Sequence, residues 1–155
     1  MEHKVRVVEP EELMDQLQQL LPLTEAVPLF ISGDSMAPFL IHGRDTVFLS
    51  KIVKPPKRGD IVLFRRESGA YVLHRICRER NGVYDLVGDG QCVIEPGIRR
   101  EQILAEVNTV RRDGRLLRRG SLCWVFYEKI WLGLLPLRPL ICRVYSRIRA
   151  WRKDK

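Results

Sequence analysis

The chain has 155 residues, enough for one domain with a buried core, and its 45% apolar and 30% charged residues exclude a disordered polar chain. No stretch reaches the roughly 18 uncharged apolar residues of an ordinary membrane-spanning helix. The net charge of +8 is uneven: residues 1–110 hold 14 Lys and Arg against 16 Asp and Glu, net −2, whereas residues 111–155 hold 13 against 3, net +10.

In chain order, "MEHKVRVVEPEELMDQL" lacks the apolar stretch of a secretory signal. "VEPEELMDQLQQLLP" predicts an N-terminal helix within residues 1–24. Pro10 suits its first turn, Glu11 and Glu12 complement the positive end of its dipole, and Pro22 ends it. Leu13, Leu17, Leu20 and Leu21 make a stripe that packs on a core. Residues 25–118 then read as short strands broken by turns. "VPLFI", "DTVFLSKIV", "DIVLFRR", "YVLHRICRE" and "VYDLV" are strands, with another near 103–111. Asn81-Gly82 and Asp113-Gly114 are hairpin signals. A mainly β domain follows, a coiled antiparallel sheet or a barrel-like one.

Residues 119–155 differ. Trp124, Trp131 and Trp151 alternate with long aliphatics and with Arg138, Arg143, Arg147, Arg149 and Arg152. Pro136 and Pro139 divide the segment into two helical halves. Basic amphipathic helices of this kind suit a membrane surface, through residues 120–155, with packing on the domain or a dimer contact as the competing reading. Charge alone gives only non-specific nucleic-acid binding, so no specific nucleic-acid partner is expected.

Cys77, Cys92, Cys123 and Cys142 form no CxxC pair, and the three histidines are scattered. No metal site and no cofactor are expected, and the cysteines are read as core fillers of a cytosolic protein.

Chemistry points to "ISGDSMAPFL", residues 31–40. A serine hydroxyl needs a base within reach and donors for an oxyanion. Gly33 permits a sharp turn that can align amides near Ser35, with the Ser32 hydroxyl beside it. Ala37 stands where a G-x-S-x-G elbow needs glycine, and on spacing alone a structural turn competes with a nucleophile.

Several stretches recur in order: "SGDSMAP", "RDTVFL", "KRGDIVLF", "YVLHRI", "LVGDGQ" and "ILAEV". Over residues 27–110 this set resembles the superfamily that joins type I signal peptidases with LexA-like self-cleaving peptidases. The resemblance implies their catalytic fold, a Ser35 nucleophile and a base at His74, with the oxyanion held by the Ser35 amide and helped by the Ser32 hydroxyl. Lysine holds the base position in bacterial signal peptidases and LexA-like proteins, and histidine in the endoplasmic-reticulum type. Asp89 matches the G-D motif and is the acid expected to fix the His74 tautomer. Asp60 is expected to hold a turn instead. Lys4, Lys51, Lys54 and Lys57 do not match the family's lysine and are expected to be solvated. Asp34 lengthens the nucleophile loop as in the LexA-like branch, Arg44 separates Gly43 from Asp45, and after "GDGQ" the usual Asn and second acid are missing.

The expected activity is a serine endopeptidase, a Ser–His dyad or Ser–His–Asp triad, that takes an extended peptide and cleaves a leader or signal-like segment. It would work in the cytoplasm or on the cytoplasmic membrane face. Two other readings are a catalytically inactive membrane-surface module and a self-processing LexA-like peptidase. For the latter only 34 residues precede Ser35, with no Ala-Gly or Cys-Gly pair among them.

Overall fold

A computed structural model describes residue 17, residues 19–141 and residue 143. Of the expected N-terminal helix, Leu17 is buried and Leu21 packs beside it, while Leu13 lies outside the described residues.

Eight strands form one open antiparallel sheet: β1 Val27–Phe30, β2 Asp45–Ser50, β3 Ile61–Arg65, β4 Tyr71–Arg80, β5 Val83–Val87, β6 Glu95–Arg99, β7 Ile103–Arg112 and β8 Arg115–Arg118. Their order is β1-β2-β7-β3-β4-β5-β6, and β8 pairs with β7. Of the two expected architectures the open coiled sheet is the one formed. β7 makes this possible by its length. Its residues 106–112 pair with β2, while on its other edge β3 and then β8 follow one another. The β4–β5 and β7–β8 turns hold Asn81, Gly82, Asp113 and Gly114 all at positive φ, the geometry a two-residue hairpin needs.

β3 explains the two-sided core. Its residues 61–64 are all buried, because strand alternation sends Ile61 and Leu63 to one apolar cluster and Val62 and Phe64 to another. β6 was not among the sequence-predicted strands. Its "EPGIR" carries Pro96 and Gly97, which weaken a strand signal, yet Pro is tolerated on this edge of the sheet.

The C-terminal segment forms two short helical stretches, with the break between them at the Pro136 turn. Leu122–Val125 (α1) runs into a π-helical turn at Phe126–Trp131, and helix resumes near residue 138 after a 3-10 turn at Leu135–Leu137. Pro136 and Pro139 sit in first-turn positions, where a missing N–H costs nothing. Trp124 is buried in the same cluster as Phe39, so this segment packs on the sheet domain.

The innermost polar contact is an ion pair. Arg75 and Asp89 are both fully buried, and Arg75 Nε and Nη2 donate to the two Asp89 oxygens at 2.9 and 2.7 Å. Arg75 Nη1 also donates to Gly59 O at 2.9 Å. Removing one partner strands a charge away from water, and Arg75→Met is expected to cost about 3–5 kcal/mol in urea unfolding. The double variant Arg75→Met/Asp89→Leu should recover most of that. A double variant no more stable than Arg75→Met would refute the assignment.

Candidate active site

Ser35 lies in the irregular segment between β1 and β2. Gly33, at φ +80°, reverses the chain just before it. Beyond it, buried Met36, Phe39 and Leu40 root the loop in the core, and Ala37 N–H and Leu40 N–H close turns onto Asp34 O and Met36 O. Ser35 is therefore half-buried on a loop anchored from below, with Ser32, Gly33 and Asp34 exposed around it. The Ser35 N–H donates to no other described residue, which leaves it available to an oxyanion.

The turn after β5 presses on this loop. Gly90 N–H donates to Ser35 O at 2.9 Å. A Cβ at Gly88 would lie 2.3 Å from Ser35 O, and one at Gly90 would lie 2.7 Å from Ala37 O. Both contacts are with backbone, which cannot swing away, so the "GDG" glycines are required by close approach.

His74 sits on β4, opposite Val62, with its ring 5.9 Å from that of Phe64. Ser35 and His74 line one cavity of about 400 Å³, shared with Ser32, Arg66 and Gln91 and with an apolar wall that includes Ile31, Met36 and Leu63. His74 Nδ1 is 3.1 Å from Glu95 Oε1. Their alignment falls short of a hydrogen bond, and His74 Nε2 has no partner among the described residues. Glu95 is itself gripped by Arg66, whose Nε and Nη2 reach its two oxygens at 2.7 and 2.5 Å.

The expected third member is placed elsewhere. Successive residues of a strand point to opposite faces, so His74 and Arg75 look away from each other, and both Asp89 oxygens are taken by Arg75. Asp89 acts on His74 only through space, and the carboxylate beside the ring is Glu95. Glu95 opens β6, paired opposite Leu86, and that pairing could not be read from residue spacing. The one sequence signal was an acid a few residues beyond "GDGQ".

The other expected residues are also located. Asp60 Oδ2 accepts from Lys57 N–H at 2.9 Å and Asp60 pairs with Arg119, so it holds the 57–60 turn. Lys51, Lys54 and Lys57 are exposed, and among the described residues no lysine lines the cavity; Lys4 lies outside them. Exposed Cys92 corrects the reading of the cysteines as core fillers; half-buried Cys123 packs against the core cluster, Cys77 is half-buried, and Cys142 lies outside the described residues.

This sheet, with a serine loop and a buried imidazole facing one cavity, is the architecture of a peptidase. A family model, Peptidase S24-like, matches residues 5–92, more than half of the chain, and the protein belongs to that family of hydrolases. No curated protein matches the chain.

Burial holds the His74 pKa below its ordinary 6.5; the Glu95 charge raises it in part and the Arg66 charge lowers it again. The arginine fork keeps Glu95 ionised, with its pKa below the usual carboxylate value. His74 is thus neutral at neutral pH. Because the unfolded ring takes a proton near 6.5 and the folded ring only at lower pH, stability is full above 6.5 and declines as pH falls through that value. Glu95→Gln removes the larger of the two carboxylate charges that favour the imidazolium, Asp89 being the other, and frees Arg66 to act against it. An NMR titration of the His74 ring should therefore move further to acid in Glu95→Gln. An unchanged or upward midpoint would contradict this arrangement.

Proposed function

We propose that the protein is a serine endopeptidase with a Ser35–His74 dyad in which Glu95 steadies the base. The observation that carries the reading is a buried imidazole whose Nε2 has no partner among the described residues, in a cavity that Ser35 also lines. Such a nitrogen costs folding free energy unless something uses it. Catalytic hydrogen bonds commonly tighten only when substrate is bound, so the dyad does not require a Ser35–His74 bond in the empty site.

Ser35 Oγ attacks the scissile carbonyl carbon while His74 Nε2 takes its proton. The Ser35 N–H, with the Ser32 hydroxyl beside it, receives the charge that develops on the carbonyl oxygen. Glu95 stabilises the imidazolium from the Nδ1 side. Collapse of the tetrahedral intermediate breaks the C–N bond, and His74 returns the proton to the leaving amine. Water then repeats the sequence on the acyl-serine, releasing the acid and restoring Ser35. Among the described residues β1 is an edge strand that pairs only with β2, so an extended peptide can add beside it, and the apolar cavity wall favours apolar or small side chains near the cut. A leader or signal-like segment of a precursor meets these requirements.

The partner surface we propose is an anionic bilayer. Leu122, Phe126 and Ile130 recur at four-residue steps, and Leu137 and Leu140 follow; all five are exposed, Leu122 by 91%. No helix among the described residues is long and apolar enough to cross a membrane, and the proposed contact is interfacial. The complementary charge is the net +10 of residues 111–155. This would hold the enzyme on the cytoplasmic membrane face.

In a peptide-library assay, Ser35→Ala and His74→Ala should each lower kcat by about 10³-fold or more with the fold intact. Cleavage retained by either variant removes it from the mechanism. In a separate measurement, the protein should float with phosphatidylglycerol-containing vesicles and not with phosphatidylcholine alone. Leu122→Asp/Ile130→Asp should lose flotation without change in circular dichroism. Equal flotation of this variant, or none by the parent protein, would overturn the membrane assignment.

A further inference from the structure

We propose that Trp131 and Arg138, far along the chain from the nucleophile, are positioning residues that hold it in place through the 88–91 turn. The inference rests on the reading of Ser35 as nucleophile.

Arg138 is buried to 1% exposure, though its charge is not needed for the chemistry. Its Nη1 donates to Gly88 O at 3.0 Å and to Gln91 O at 3.1 Å, spanning the ends of the turn. Its Nη2 donates to Trp131 O at 3.3 Å, and its guanidinium lies 5.0 Å from the Trp131 ring centre. Trp131 Nε1 donates to Asp89 O at 2.8 Å. Three of the four carbonyls of the turn, 88, 89 and 91, are thus fastened by two side chains of the C-terminal segment.

The turn in its turn fastens the serine. Gly90 N–H bonds Ser35 O, and Gly88 leaves no room between its own backbone and that carbonyl. A shift of the turn is therefore transmitted to Ser35 without a compliant side chain between them. Gln91, whose carbonyl Arg138 holds, also lines the cavity. Arg75 fixes the turn from the other side through the Asp89 carboxylate, so the backbone carbonyls and the side chain are held by different elements. Arginine suits the task because its planar fork meets several carbonyls at once and stays charged. Neither residue touches the cavity, which is why each is a positioning residue and not a catalytic one.

The test uses the full chain. Trp131→Phe keeps an aromatic ring but removes the N–H to Asp89 O and part of the ring surface against Arg138; it should lower kcat about fivefold with KM nearly unchanged. Arg138→Ala should lower kcat about 100-fold, Arg138→Lys should restore part of it, and added guanidinium should partly rescue Arg138→Ala. Independently of activity, hydrogen exchange at the Gly90 amide should quicken in Arg138→Ala while β3 and β7 amides stay protected. Parent-level kcat in Trp131→Phe and Arg138→Ala together would overturn the proposal. So would unchanged Gly90 exchange, or exchange that quickens equally in every strand. Failure of the Ser35 reading shows separately, as cleavage by Ser35→Ala, and leaves the exchange result to judge the clamp.

Discussion

The buried pair between Arg75 and Asp89 is the contact on which the geometry of the site depends. Neither charge reaches water, so each is tolerable only beside the other. Two nearly parallel hydrogen bonds fix the direction of the Asp89 carboxylate and leave little freedom to the turn that carries it. Through that turn the pair governs the Ser35 loop. Through β4 it governs His74, the residue immediately before Arg75. A third bond, from Arg75 to Gly59 O, ties in the turn that leads to β3. One guanidinium thus sets the relative placement of three segments that are distant in sequence.

Strand alternation divides the work between two carboxylates. On one face of β4, Asp89 neutralises Arg75 and carries architecture. On the other, Glu95 stands beside His74 and carries electrostatics. The Arg66 fork restrains Glu95 in two ways: it orients the carboxylate, and its charge offsets part of what Glu95 does to the ring. The outcome is an imidazole that stays neutral at neutral pH although it has a carboxylate at 3.1 Å. A lysine in such a site would have to be desolvated to give up its proton, whereas an imidazole starts near the required value and needs only a modest shift.

Much of the sheet was legible in the sequence because its strands alternate or run continuously apolar and are punctuated by Asn81-Gly82 and Asp113-Gly114. β6 was not legible, since Pro96 and Gly97 hide it and only pairing with β5 defines it. Ser35 and His74 stood out by their order among neighbouring motifs. Asp89 stood out for the same reason, but a motif reports that a residue matters, not what it touches. Its partner was the adjacent Arg75, and only the two-residue period of β4 explains why the neighbour of the histidine, and not the histidine, receives it. Glu95 lies in no motif at all. The C-terminal segment's composition suggested a membrane surface, with packing on the domain as the competing reading; which residues turn inward was not legible, because the fate of Trp131 and Arg138 is decided by carbonyls of a turn 42 and 50 residues away.

That segment has two faces with different demands. Trp124 and Leu132 are buried, and Arg138 is buried with them, whereas Leu122, Phe126 and Ile130 face outward. The π-helical turn between them widens the helix where Trp131 must meet Asp89 O and where Glu128 closes over Gly59. The family match ends at residue 92, just past the turn that Arg138 grips. The Ser35 loop and the turn that braces it lie within the matched residues, while Trp131 and Arg138, which hold that turn, lie beyond them. Since the same element offers its apolar side to the surroundings, whatever covers that side meets the segment whose Trp131 and Arg138 brace the turn that donates Gly90 N–H to Ser35 O.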